Sequence, residues 1–235
     1  CEAVCPNGCH SFLSGAHQVE RKNCTLCGAC VGSCPVKALT FCGEKRSAED
    51  VMKKVLKDRA FYRRSGGGLT ISGGEPLMQP DFTACLLQMA KKEGLHTCVE
   101  TSGYGSPEKL REIAEWTDLF RFDVKETSEA LHISYTGVSN RIILENLSLL
   151  NQMGKMVRLR CPVIPGLNDR KEHFAALKKL AKSLRCPDPD SDGGIQIMPY
   201  HLLGKGKEIR FGAEDMPVYV PPSEEQILFW NQQIR

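Results

Sequence analysis

The sequence has no long apolar run, no block of like charge and no basic stripe. Its 235 residues carry 31 Lys+Arg against 28 Asp+Glu. A balance this close gives no electrostatic footprint for nucleic acid and no charged interaction tail. No stretch approaches the ~20 apolar residues of a membrane span. Neither nucleic acid nor membrane is therefore an expected partner. No signal peptide is visible. No methionine stands before Cys1, and the chain opens inside a cysteine motif, "CEAVCPNGCH". The length suits one large domain, or a barrel with a small insert.

Cysteine is what the chain has in excess. There are 12, and eight of them fall in the first 42 residues. A secreted disulfide scaffold would be short and stapled throughout. A cysteine-dense head on a long ordinary body predicts metal ligation in a reducing cytoplasm. The segment "CTLCGACVGSCP" has the spacing C-x2-C-x2-C-x3-C-P, on Cys24, Cys27, Cys30 and Cys34. That is the bacterial iron–sulfur run, whereas a structural zinc site prefers two separated C-x-x-C knuckles. A shift of 29 places Cys1 on Cys30, Cys5 on Cys34, Pro6 on Pro35 and Cys9 on Ala38. The opening is thus expected to be the tail of a first copy, with Cys9 and Cys42 as packing residues.

After residue 46 the pattern becomes a β/α repeat. Short apolar runs such as "GGLTISGG", "LHTCVETSG", "DLFRFDVK", "KMVRLRCPVIPG" and "GIQIMPYH" predict five buried strands. Helical segments alternate with them, the first over 47–64, ahead of the first strand. Ser106 caps another helix, with Pro107 at its first position. A capping box at Ser223–Gln226 opens the last. Strand–helix alternation with short links implies a parallel sheet with right-handed crossovers, whose active-site groups sit at the strand ends. Those ends carry Gly73, Gly74 and Glu75; Glu100, Thr101 and Ser102; Asp123, Val124 and Lys125; Arg160; and Tyr200 with His201. Each has a bland alternative: a glycine turn, a surface ion pair, a satisfied histidine. Five such groups at matching strand ends, beside an iron–sulfur head, favour a binding site.

The segments "TISGGEPLMQPDF", "ETSGYG", "FDVKETSEALHISYTGVSNRIILENL", "RCPVIPGLND" and "MPYHLLGKGKE" resemble the glycyl-radical-enzyme activating enzymes of the radical S-adenosylmethionine superfamily, of which pyruvate formate-lyase activase is the best-known relative. The resemblance implies an α/β fold: a partial (β/α) barrel over 47–235, with an inserted two-cluster ferredoxin-like domain over 1–46. It implies that Gly73–Pro76 hold the amino group of the cofactor's methionine and that Asp123 and Lys125 meet its ribose and carboxylate. Arg160 would stand near its charged end, and His201 at its adenine. Glu100–Gly103, as "ETSG", departs from the family's D-T-N-G segment, which serves a cation site in some members. In two-cluster ferredoxins the fourth cysteine of each run ligates the other cluster. One [4Fe–4S] cluster then takes Cys24, Cys27, Cys30 and Cys5, and Cys1 and Cys34 belong to the other.

The implied reaction is reductive cleavage of S-adenosylmethionine to a 5′-deoxyadenosyl radical, which removes a hydrogen from a glycine of a partner enzyme. A flavodoxin or ferredoxin would supply the electron. The family's C-x-x-x-C-x-x-C loop precedes the insert. A chain beginning at Cys1 is therefore expected to lack it, together with the first barrel strand, and to be inactive alone. Two other readings compete: a ferredoxin-type electron carrier fused to a barrel, and a peptide-modifying radical enzyme. The first has no use for G-G-E or D-x-K, and the second usually carries cysteines after the barrel, where this chain has none.

Overall fold

The computed structural model describes residues 1–186, 194–204 and 217–235. The chain forms two compact units, Cys1–Ser47 and Ala48–Arg235.

In the first unit, strands β1 (His10–Leu13) and β2 (Ala16–Val19) pair antiparallel, with Leu13 opposite Ala16. The link is Ser14–Gly15, both at positive φ (51° and 79°), which suits the twist of a two-residue hairpin. This hairpin separates two cysteine loops of matching geometry. Cys5 N–H bonds Glu2 O, and Cys34 N–H bonds Val31 O, each at 3.4 Å; Gly8 N–H bonds Cys5 O, and Lys37 N–H bonds Cys34 O, each at 3.2 Å. Gly8 and Lys37 share a left-handed φ of 60° and 51°. The 29-residue repeat is thus one of backbone shape as well as of cysteine spacing. A short α-helix, α1 (Ala29–Gly32), carries Cys30. Only Cys9 and His10 are buried in this unit. Cys42, expected to pack, is exposed.

The second unit is built on five parallel strands: β3 (Gly68–Ile71), β4 (His96–Thr101), β5 (Leu119–Asp123), β6 (Met156–Val163) and β7 (Ile195–Pro199). They lie in sequential order, each hydrogen-bonded to the next. Right-handed crossovers that always advance the same way stack the connecting helices on one face. These are α4 (Pro80–Lys92), α5 (Pro107–Glu115), α7 (Arg141–Gln152) and α8 (Lys171–Lys182). The expected helix over 47–64 is interrupted: α2 (Ala48–Val55) and α3 (Arg59–Ser65) flank a 3-10 turn. A further helix, α6 (Glu129–Thr136), follows β5, and α9 (Glu224–Ile234) closes the chain with both hydrogen bonds of the Ser223 capping box formed.

Alternation along the strands separates two faces. Phe120, Phe122, Val157, Leu159, Cys161 and Val163 point into the core, with Leu110, Leu150, Leu177 and Trp230 from the helices. The intervening residues, Glu100, Arg121, Asp123, Arg158 and Arg160, share the opposite face. Register sets Glu100 beside Arg121, Arg121 beside Arg158, and Asp123 beside Arg160. One side of the sheet is therefore hydrocarbon, and the other is a band of charge. Among the described residues no helix is long and apolar enough to cross a membrane.

Candidate cofactor site and cysteine loops

The charged band is organised around Glu100. Its carboxylate accepts hydrogen bonds from Arg121 Nη1 at 3.0 Å and Ser72 Oγ at 3.1 Å, and pairs with Arg160 Nη1 at 2.8 Å. Burial opposes its charge, but the two guanidinium groups outweigh this and hold the carboxyl below its usual range. Two arginines and a serine thus already surround the position where "ETSG" departs from the family pattern.

Asp123 behaves oppositely. Burial pushes its carboxyl up; the charges of Arg160 and Lys125 oppose that only in part, and Glu100 and Glu75 add to it. Its Oδ1 is buried and has no hydrogen-bond partner, the nearest cation being Arg160 Nε at 3.6 Å. Arg160 Nε is also buried and without a hydrogen-bond partner. A buried carboxylate oxygen without a hydrogen bond is costly unless a ligand completes it. The pair lies below the rim: Arg160 is mid-strand in β6, and register alone brings it to Asp123 at the end of β5.

A second cluster joins the loops after β3 and β4. Glu75 accepts from Thr101 Oγ1 at 2.5 Å, from Ser102 N and Oγ at 2.8 and 2.6 Å, and from Leu77 N at 3.2 Å. Gly103 N–H in turn bonds Thr101 Oγ1 at 2.9 Å. Gly103 has φ 75°, and a Cβ there would stand 2.1 Å from Phe122 Cζ, so only glycine lets this loop fold over the sheet. Gly73 and Gly74 are the reverse case. Both are exposed, Gly73 has φ 125°, and nothing lies within 4 Å of where either Cβ would be. The main chain there is open to close approach by a ligand.

Lys125 is exposed beyond the last sheet hydrogen bond, from Val124 N–H to Arg160 O at 2.8 Å. The Val124 side chain belongs to the core. His201 is exposed just past β7, outside the hydrogen bonds that join the other groups. The part of the "MPYHLLGKGKE" segment from 205 onward lies outside the described residues. Arg121 and Ser72 escaped the motif-based reading. Arg121 was findable by parity, since it stands two residues before Asp123 on the same strand face.

In the first unit the Cys5 and Cys34 sulfurs each accept a backbone N–H four residues on, from Cys9 and Ala38, both at 3.2 Å. These bonds lower both thiol pKa values against desolvation. Cys9, between them in type, is buried. Desolvation, then hydrogen bonding with Cys5, pushes its thiol up to about 11, as suits a packed thiol. Asn7 Nδ2 donates to Asn23 O at 2.9 Å and Thr25 Oγ1 at 3.5 Å, which seats the Cys5 loop against the start of the Cys24 loop. Cys1 Sγ lies 3.6 Å from His17 Nε2, which lies 2.9 Å from His10 Nδ1.

Such parts define a class: a parallel β/α-sheet protein with a band of charge on one side of its sheet and a cysteine-rich unit on the same chain. Comparison with known proteins narrows it. Residues 21–177 match the Radical SAM superfamily. The (2S)-3-sulfopropanediol dehydratase activating enzyme of Klebsiella oxytoca is 42% identical over 219 residues, covering 90% of this chain and 67% of that one. The choline trimethylamine-lyase activating enzyme of Oleidesulfovibrio alaskensis is 36% identical over 217 residues, covering 91% and 69%. A crystal structure of a domain of pyruvate-formate lyase-activating enzyme from Bacteroides vulgatus superposes with a TM-score of 0.56 at 27% identity, covering 72% of this chain and 92% of that one. The chain belongs to the radical SAM superfamily, among the activating enzymes of glycyl radical enzymes. It spans about two thirds of the length of these relatives. The superfamily uses S-adenosylmethionine and a [4Fe–4S] cluster.

Proposed function

We propose that this chain is the cofactor-holding sheet and cluster-bearing head of an enzyme that installs a glycyl radical on a partner enzyme. The observation that carries the cofactor assignment is Asp123 Oδ1, buried without a hydrogen-bond partner beside Arg160 on the charged side of the sheet. S-adenosylmethionine offers complementary groups: ribose hydroxyls that donate, and a carboxylate that accepts. Asp123 takes a ribose hydroxyl. Arg160 and Lys125 take the carboxylate. The open main chain at Gly73 and Gly74 accepts the amino group, and His201 meets the adenine. Glu75 acts from behind, by tying the glycine turn to Thr101 and Ser102. Val124 holds the strand through its core side chain. When bound and reduced at a cluster, S-adenosylmethionine supplies a carbon-centred radical able to abstract hydrogen. The residues named here orient it on rigid strand ends, where small displacements cost most.

The head is a two-cluster ferredoxin-like insert. Contact between the Cys5 and Cys24 loops supports the crossed ligand set, Cys5 with Cys24, Cys27 and Cys30. Cys1 and Cys34 serve the other cluster. Hydrogen bonds to the Cys5 and Cys34 sulfurs tune potentials for relay from a flavodoxin or ferredoxin. The working compartment is the cytoplasm, where free thiols and clusters persist.

The test is calorimetric titration of S-adenosylmethionine into the anaerobically reconstituted chain. Binding is expected, with a marked loss in Asp123→Ala. Equal heats from parent and variant would remove Asp123 from the site.

A further inference from the structure

Three buried asparagines lie outside the pairs and clusters described above. Each gives its side-chain amide to main-chain carbonyls of loops at the strand ends. Asn146, in α7, donates to Gly103 O at 2.7 Å and Gly105 O at 2.9 Å. Asn140, at the start of α7, donates to Glu126 O at 3.2 Å and Thr127 O at 3.1 Å. Asn168, in the loop after β6, donates to Lys125 O at 2.8 Å and Pro162 O at 2.7 Å, and accepts from Ile164 N at 2.8 Å.

Asn168 differs from the other two, because it bridges two strands. The sheet's own hydrogen bonding between β5 and β6 stops at Val124 N–H to Arg160 O. One residue later the strands would be free to part. At that point the Lys125 carbonyl meets the Asn168 amide, whose second hydrogen is committed to Pro162 in β6. Asn168 is 4% exposed, so these bonds are not exchanged for water. Its side chain extends the β5–β6 pairing by one step with an amide borrowed from the following loop.

We propose that Asn168 is a positioning residue for cofactor binding. By tying the Lys125 carbonyl to β6, it sets where the Lys125 ammonium stands relative to Asp123 and Arg160. This rests on the cofactor reading above. Asn168 touches no cofactor itself; it acts through Lys125. An aspartate at 168 keeps the shape but sets carboxylate oxygens against two carbonyl oxygens. A serine keeps at most one donor.

The test is a double-mutant cycle on the reconstituted full chain, read as S-adenosylmethionine affinity by calorimetry, with the thermal midpoint of each variant measured beside it. Asn168→Asp and Asn168→Ser should each bind on the order of tenfold more weakly, the loss of about one buried hydrogen bond. In a Lys125→Ala background the same changes should have less than about a twofold effect, since the group they position is gone. Equal losses in both backgrounds would make Asn168 a general structural residue and overturn the proposal. So would folded variants with unchanged affinity, failure of both variants to fold, or a Lys125→Ala change without effect on affinity. No binding by the parent chain would overturn the cofactor reading, and the positioning role with it.

Discussion

The two units of the chain solve the problem of folding by different means. Ala48–Arg235 has a core of aromatic and branched side chains between a sheet and its helices, with Phe120, Phe122, Leu150 and Leu177 fully buried. Cys1–Ser47 has no such core. Its buried residues are a cysteine and a histidine, while Phe12, Leu13, Leu26, Val36 and Phe41 are exposed. A unit of this size rarely stands on apolar burial alone and usually needs metal or disulfides. Its cysteines are free. The contrast teaches that the body can be expected to hold its fold whether or not iron is present. Under the reading proposed above, the head's fold follows from the clusters it binds.

The largest break in this comparison should come from iron removal. Anaerobic chelation is expected to abolish amide protection over β1 and β2 while leaving β4, β5 and β6 protected, as read by hydrogen exchange. Retained protection in the head would show that it folds without metal. Within the head, Cys5→Ala should remove about four irons per chain, one cubane by the four-thiolate rule, and Cys34→Ala should spare that cluster. The opposite pattern in iron analysis would mean each run binds its own cluster.

Phe120→Ala sharpens the contrast from the other side. It should destabilise the body by about 3–5 kcal/mol in denaturant unfolding, with iron content unchanged. A parallel loss of iron would show that the units fold as one.

Acid gives a smaller effect confined to the body. His173 is buried with Nδ1 accepting the Thr127 N–H at 3.2 Å and Nε2 3.3 Å from Cys161 Sγ, whose thiol burial pushes up. Burial lowers the His173 pKa, with Arg170 adding and Glu126 opposing. Glu126 is also lowered: burial works against this, but the Ser128 N–H and Arg170 outweigh it. The unfolded chain therefore binds protons first at both sites, and stability is lost on acidification. The loss starts as pH falls past the ordinary histidine value of 6.5 and grows again below the ordinary carboxyl value of 4.5. Unfolding midpoints at pH 7.5 and 5.5 should differ less in His173→Gln than in the parent.

The smallest effect distinguishes the two copies of the cysteine loop. Gly8 occupies the left-handed turn in one and Lys37 in the other. Lys37→Gly should stabilise the head by about 0.5 kcal/mol, a left-handed cost of ~1 kcal/mol less glycine's added chain freedom. The midpoint of iron release in denaturant would register it. No shift would mean that the cluster, not the backbone, sets this turn.

The body was more legible in the sequence than the head. Its strands are apolar runs bounded by glycine and polar residues, and a parallel sheet follows from their alternation with helices; their sequential order does not, since the same alternation also builds sheets with a reversal point. The β1–β2 hairpin escaped, because "HSFLSGAHQV" has no apolar alternation, only a turn whose φ values the chain itself must adopt. The break at Leu56–Asp58 escaped too, since its residues all tolerate a helix. In the site, Glu75 was placed by its motif, but its partners Thr101 and Ser102, at the end of β4 and just past it, come 26 and 27 residues later, and nothing local announces that contact. Asn140, Asn146 and Asn168 lie inside segments that carry the family resemblance, but their partners were hidden for the same reason. A lone asparagine gives no sign of which carbonyls it will meet.

In the proposed assignment the charged side of the sheet, and not the cysteine head, holds S-adenosylmethionine. Hydrogen exchange of the reconstituted chain with and without the cofactor measures this directly. Added protection is expected at residues 72–75 and 123–127, with little change over residues 10–19. Protection confined to the head, or none at the strand ends at saturating cofactor, would contradict it.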